Sequence, residues 1–411
     1  MKIFNRKLKI TSFALLTLCM AFVMTACAEN SSQSEKSQPA DQTTVQPTTM
    51  SAEEINDRNL DKFISDMTLE EKVGQMFFVR CPDEDAVQQV SKYNIGGYIL
   101  FGRDFDGKTK DEVVDDIHSY QNEADIPLLI GVDEEGGTVV RVSSNPNLRE
   151  TPFLSPKDTY ADGGWDAVKQ DAEEKADLLL SLGINVNLAP VCDMTSDEYG
   201  FMYDRSFSSD VDMENRYVRT VVETSKSKKL GTVLKHFPGY GNNSDTHTGI
   251  AYDDRDYSEF ENTDFKPFYQ GIESGADCIL VSHNIVNCID SEYPASLSQK
   301  VHDILRNEFK FDGVIMTDDL IMDAITDFTG DEAAAVTAAK CGNDLLCCSS
   351  VDTQYPAVLE AVQNGEIPET QVDASVKRIL KWKQNLGIFN IDTYQKKVKS
   401  TEPTDTVGSE E

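Results

Sequence analysis

Gly313-Val-Ile-Met-Thr317 is a short apolar, β-branched run that stops abruptly on two acids, Asp318-Asp319. It lacks the in–out alternation of a strand with one wet face, and so predicts a strand buried on both sides, as in parallel sheets. Seven other runs have the same form: Val73–Arg80, Gly97–Phe101, Pro127–Asp133, Ile184–Val191, Thr232–Phe237, Asp277–His283 and Asp344–Cys348. Amphipathic stretches separate most of them. Within Ser298–Phe309, Val301, Ile304, Leu305 and Phe309 fall at helical spacing. Thr68-Leu-Glu-Glu71 has the form of a capping box. Eight strand–helix units over about 340 residues predict a single (β/α)8 barrel. An open doubly wound sheet would usually carry a glycine-rich phosphate loop after its first strand, and no GxGxxG or GxxxxGK(S/T) occurs.

Barrels of this kind place their chemistry where strands end. Arg80, Arg103, Asp133, Asp193, Lys235, His236, His283, Asp318 and Asp319 stand there, a ring of charge that a purely structural barrel does not need. Adjacent residues on an extended chain point to opposite sides. One of Asp318 and Asp319 can therefore face the mouth while the other is held by its neighbours. The competing reading makes both of them helix-capping acids.

The segment Lys235-His-Phe-Pro-Gly-Tyr-Gly-Asn-Asn-Ser-Asp-Thr-His247 begins on a strand and enters a Pro/Gly-rich loop. A carboxylate two residues from an imidazole, Asp245 and His247, can accept the ring N–H, set the tautomer and support proton transfer. A loop-stapling hydrogen bond or a metal site are the other readings. Metal is disfavoured because no second His or Cys lies at ligand spacing on a regular element. No cofactor is expected.

These residues resemble glycoside hydrolase family 3, within it the single-domain β-N-acetylhexosaminidases. The resemblance is carried by Met67-Thr-Leu-Glu-Glu-Lys-Val-Gly-Gln-Met76, Asp133-Glu-Glu-Gly-Gly137, Lys235-His-Phe-Pro-Gly239 with Asp245-Thr-His247, and Gly313 to Asp318-Asp319-Leu320. Pro294-Ala-Ser-Leu-Ser298 also fits. The resemblance spans about residues 55–390 and implies a retaining glycosidase with a covalent glycosyl-enzyme. By it, Asp318 is the nucleophile, His247 the general acid/base and Asp245 its partner. Asp133, Arg141, Arg205, Lys235 and His236 fall where the family contacts the N-acetylglucosamine ring. Arg103 and Asp193 are left as loop or core ion-pair residues. Tyr240 stands where the family usually has His, which implies altered loop packing more than lost activity. The implied substrate is an N-acetylglucosamine-containing oligosaccharide or muropeptide. Three alternatives stay open: a β-glucosidase or xylosidase of the same family, a phosphorylase using phosphate in place of water, and a non-catalytic sugar-binding lipoprotein.

The ends of the chain carry a different message. Lys2, Arg6, Lys7 and Lys9 precede an apolar run, Ile10–Met24, too short for a comfortable membrane span. Met24-Thr-Ala-Cys27 then resembles a lipobox. The expectation is a lipoprotein signal over 1–26, lipid on Cys27, a disordered tether over 27–52, the barrel over 53–394 and a disordered acidic tail over 395–411. That arrangement places the protein outside the cytoplasm, anchored to the cell membrane. The formal net charge of −33 over 411 residues, with no Lys/Arg cluster beyond the first ten, excludes nucleic acid as a natural partner. Seven cysteines remain outside the export segment, an odd number without a CxxC, which predicts buried thiols.

Overall fold

A computed structural model of the chain describes residues 50–394, apart from Ser244, Asp245, His247, Thr248 and Gly330. The export segment, Cys27, most of the tether and the acidic tail lie outside the described residues, as do Asp245 and His247.

All eight expected strands are present and parallel: β1 Phe77–Arg80, β2 Gly97–Leu100, β3 Leu129–Val132, β4 Val186–Asn187, β5 Gly231–Phe237, β6 Cys278–Val281, β7 Val314–Thr317 and β8 Leu346–Cys348. Their order in the sheet is β8-β1-β2-β3-β4-β5-β6-β7. A parallel bridge between Met316 and Leu345 joins the two ends and closes the barrel. Every residue of β2, β3, β5, β6, β7 and β8 is buried, which is why these runs are written without alternation.

Two apolar layers result. Phe78, Ile99, Leu129, Val233, Val314 and Met316 pack together inside the barrel. Their neighbours, such as Phe77, Val79, Tyr98 and Leu100, face the surrounding helices. Gly131 is required by the inner layer: a Cβ there would come within 2.6 Å of the Phe78 ring. Trp382, on the helix Glu369–Asn385, joins the inner layer and covers the end of the barrel where strands begin.

One expectation is corrected. The apolar run from Val73 does not begin as strand. Thr68 and Glu71 form the capping box, their backbone–side-chain bonds measuring 3.2 and 2.7 Å, and the helix Leu69–Gln75 absorbs Val73 before β1 starts at Phe77. A short apolar run does not distinguish a buried helix end from a buried strand. The expected helix from Ser298 runs over Gln299–Asp303 and continues as a π-helical turn, Ile304–Glu308, with Val301, Ile304, Leu305 and Phe309 all buried. Asn145 donates to the carbonyls of Phe105 and Lys108 at 2.6 and 2.8 Å, and Pro156 opens a helix. Six of the seven cysteines are buried thiols; Cys288 is exposed.

Candidate active site

Side chains alternate along a strand, so the inward set continues to the mouth at the strands' C-terminal ends. Phe78 is followed two residues on by Arg80, Ile99 by Phe101, Gly131 by Asp133, Val233 by Lys235 and Met316 by Asp318. All of these arrivals line one cleft of about 610 Å3, together with Glu135, Arg141, Arg205, His236, Tyr240 and Asp319. Six of the sequence-predicted residues, Asp318, Asp133, Arg141, Arg205, Lys235 and His236, are thereby brought together. Arg103 stays out of the cleft and pairs with Asp83 at 3.0 Å.

The cleft is organised by a lattice of buried charges. Lys235 Nζ lies 2.5 Å from Asp133 Oδ1 and 2.7 Å from Glu135 Oε1. Arg205 grips Glu135 with both arms, Nε to Oε2 at 2.9 Å and Nη2 to Oε1 at 2.7 Å. Burial by itself would raise the Glu135 carboxyl. The Arg205 and Lys235 charges prevail and hold it well below the usual carboxylate range. Burial likewise works against the Lys235 ammonium, and Asp133 with Glu135 keeps it above its ordinary value. The lattice therefore favours the charged forms of Glu135 and Lys235 and presents the N–H donors of Lys235 and Arg205, with the Asp133 side chain, to the cleft. Paired donors and acceptors of this kind match the hydroxyls of a sugar.

His236 is fixed from both sides. Arg205 Nη2 is 3.2 Å from Nε2, and Asp193 Oδ2 is 2.7 Å from Nδ1. A guanidinium can only donate, so Nε2 accepts and the ring proton sits on Nδ1, given to Asp193. The other Asp193 oxygen accepts the Tyr240 N–H at 2.7 Å. Alternation would send Lys235 and His236 to opposite sides. The register shift between Leu234 and Phe237 lets both reach the cleft.

Glu134 explains how Arg141, set back from β3, returns to the mouth. Its buried carboxylate accepts the backbone N–H groups of Arg141 and Val142 at 2.8 and 2.7 Å, and pins the turn. Gly136 makes that turn with φ +104°, and a Cβ there would sit 2.2 Å from the Leu154 carbonyl oxygen.

The two acids after β7 are separated by their partners. Asp318 Oδ1 accepts the Asp319 N–H at 2.9 Å. Asp319 accepts from Ser349 Oγ at 2.5 Å and Ile321 N at 3.2 Å, and its carbonyl accepts from His283 Nε2 at 3.0 Å. Burial, with the Asp318 charge adding to it, raises the Asp319 carboxyl above its ordinary value. Tyr240 is buried, edge-on to His236 with centroids 5.2 Å apart, and its hydroxyl is hydrogen-bonded to Thr246 Oγ1. In the sequence Thr246 stands between Asp245 and His247.

Glu135 and Asp193 are the positions that motif reading left without a site role. Glu135 had a signal: it lies two residues from Asp133 in Asp133-Glu-Glu-Gly-Gly137, and so on the same side of an extended chain. Asp193 stood in the ring of charge at the strand ends, but nothing local named its role, because its partner His236 is 43 residues away.

Residues 68–382 match the profile of the glycosyl hydrolase family 3 N-terminal domain. A β-hexosaminidase of Nitrosomonas eutropha is 32% identical over 273 residues, covering 64% of this chain and 77% of that protein. The β-hexosaminidase LpqI of Mycobacterium tuberculosis is 31% identical over 327 residues, covering 75% and 81%. The structure of a family 3 β-N-acetylglucosaminidase from Paenibacillus sp. aligns with a TM-score of 0.74 at 28% identity, over 84% of this chain and 65% of that one. With the barrel and its charged mouth in place, the chain belongs to glycosyl hydrolase family 3 and is a glycoside hydrolase.

Proposed function

We propose that this glycosidase removes terminal β-linked N-acetylglucosamine from peptidoglycan or chitin-type oligosaccharides, with retention at the anomeric carbon. The observation that carries the reading is the junction, in one cleft, of Asp318 with the Asp133–Lys235–Glu135–Arg205–His236 lattice. The lattice orients ring hydroxyls and the acetamido sugar. Asp318 attacks C1 and forms the glycosyl-enzyme. His247, partnered by Asp245, protonates the departing oxygen and then takes a proton from the water that releases the sugar. The names of the relatives support the choice of sugar.

Asp318→Asn is expected to lower kcat about a thousandfold or more while circular dichroism and melting are retained. A slow fluoroglycosyl substrate is expected to label the peptide that contains Asp318. A label on another peptide, or near-normal turnover in the variant, overturns the mechanism. We also propose that the mature protein is held outside the cell membrane by lipid on Cys27. Mass spectrometry of the mature N-terminus tests this: an acylated Cys27 supports the anchor, and an unmodified terminus removes it.

A further inference from the structure

Arg255 is a cation that the cleft does not contain, yet its contacts converge on the chain that follows β5. Its Nε and Nη2 reach Asp253 Oδ2 at 3.1 and 2.7 Å, and its Nη1 reaches both oxygens of Asp264 at 3.0 and 2.9 Å. Nη2 also donates to the Gly239 carbonyl at 3.3 Å. Both carboxylates are buried, and the Phe260 ring backs the guanidinium, 4.3 Å from its carbon to the ring centroid. Burial works against this charge, and the two acids raise it above its ordinary value. Arg255 lines a second cavity of about 670 Å3, together with Asn242, Asn243, Asp253 and Asp264, and not the cleft.

The backbone after β5 is moulded on this group. Gly241 has φ +53°, and a Cβ there would come within 2.7 Å of the guanidinium carbon. Tyr240, between Gly239 and Gly241, gives its N–H to Asp193, the acid that holds His236 in the cleft. Asn243 donates to Asp253 Oδ2 at 2.7 Å. Asp253 is itself anchored: Tyr252–Asp253 pairs in parallel with Ile285–Val286, and the Asp253 carbonyl accepts the Asn287 N–H at 2.9 Å. Arg255 thus ties Gly239 directly, and Asn243 through Asp253, to one fixed point. The chain between Asn243 and Asp253 carries Asp245 and His247.

We propose that Arg255 is a positioning residue for proton transfer to the departing oxygen: by holding the chain on both sides of Asp245 and His247, it sets where the acid stands relative to the bond that breaks. The proposal rests on the reading of His247 as the acid/base, and adds to it a residue that does not reach the sugar. Arginine is needed for its fork, since one ammonium cannot span two carboxylates and the Gly239 carbonyl together. Misplacing a reacting group by about 1 Å costs about a hundredfold in rate.

The leaving group separates positioning from a merely structural ion pair. Dinitrophenolate is a stable anion and departs without a proton, whereas plain phenolate needs one. kcat/KM is measured with the full chain on the dinitrophenyl and phenyl β-N-acetylglucosaminides. For Arg255→Lys it is expected to fall about a hundredfold on the phenyl glycoside and about threefold on the dinitrophenyl one. Asn243→Ala leaves the buried ion cluster whole and removes only the tie to Asp253. It is expected to lose about tenfold on the phenyl glycoside alone. Arg255→Lys decides if circular dichroism shows it folded, and Asn243→Ala decides if not. Equal losses on the two glycosides in the deciding variant, or no loss on either, overturn the proposal. His247→Ala, run alongside, reports on the reading beneath it, and is expected to show the same selectivity more strongly. Selective loss in His247→Ala with unselective loss in the deciding variant removes the positioning role alone. Equal losses in His247→Ala remove the acid assignment, and the proposal with it.

Discussion

Glu135 is where the charge lattice is joined. One carboxylate, 3% exposed, holds Lys235 and both arms of Arg205. Glu135→Gln leaves Arg205 facing a neutral amide and Lys235 with Asp133 alone. Removing one partner of a buried ion pair costs about 3 kcal/mol, and loosening groups that orient a substrate lowers kcat/KM about a hundredfold. The sign of the pH dependence follows from the lowered carboxyl. A glutamate whose folded value lies below its unfolded value, about 4.3, stabilises fully above that value. Its contribution is lost as pH falls toward the folded one. Urea unfolding should therefore show a constant gap between the natural chain and Glu135→Gln above about pH 5, narrowing below about pH 4. A gap independent of pH would contradict the ionised lattice.

Among the elements, β5 and the loop after it do the most. The strand Gly231–Phe237 supplies Lys235 and His236, and its register shift turns both toward the cleft. Beyond it, Tyr240 is tied at two points, its N–H to Asp193 and its hydroxyl to Thr246. The Tyr240 hydroxyl thus makes a buried hydrogen bond to the residue that stands between Asp245 and His247 in the sequence. Tyr240→Phe is expected to cost about 1 kcal/mol of stability. Its kcat should fall about tenfold, as the loop loses its register with the cleft. Steady-state kinetics beside a melting curve will decide: an unchanged kcat would show that the hydroxyl only fills space. The element read wrongly from sequence, Val73–Arg80, failed for a local reason. A capped helix of seven residues and a four-residue strand share one apolar run, and periodicity has no room to change within it.

For the molecule as a whole, the decisive event is closure between β7 and β8. Asp344, 1% exposed, sits just before β8 and gathers four donors. Its Oδ2 accepts from Arg306 and from Ile315 N at 2.9 Å, and its Oδ1 from Ser375 Oγ at 2.8 Å and Arg378 Nη1 at 3.1 Å. One carboxylate, just before β8, thereby links the π-helical turn Ile304–Glu308, β7 and the helix Glu369–Asn385. Asp344→Asn leaves two arginines without their shared counter-charge. The expected loss is about 3–5 kcal/mol, or a fall of about 10 °C in melting temperature. Because Asp344 precedes its strand and the cleft lies at the strands' other ends, kcat of the folded variant should change little. Calorimetry and kinetics on the same preparation check both halves of that expectation.

The eight strands and the ring of polar residues at their ends were determined by the sequence alone. A strand buried on both faces must be apolar throughout, and the residue that follows it must be whatever the mouth requires. Such information is local, and it survives in a linear reading. The partnerships were decided only in three dimensions. Lys235 meets Asp133 across 102 residues and Arg205 meets Glu135 across 70, distances at which the chain between carries no trace of the contact. The division of labour between Asp318 and Asp319 belongs to the same class. Strand phase aims the first into the mouth, and Ser349, Ile321 and His283 claim the second. Folding brought those three claimants within hydrogen-bonding distance, and no local pattern names them.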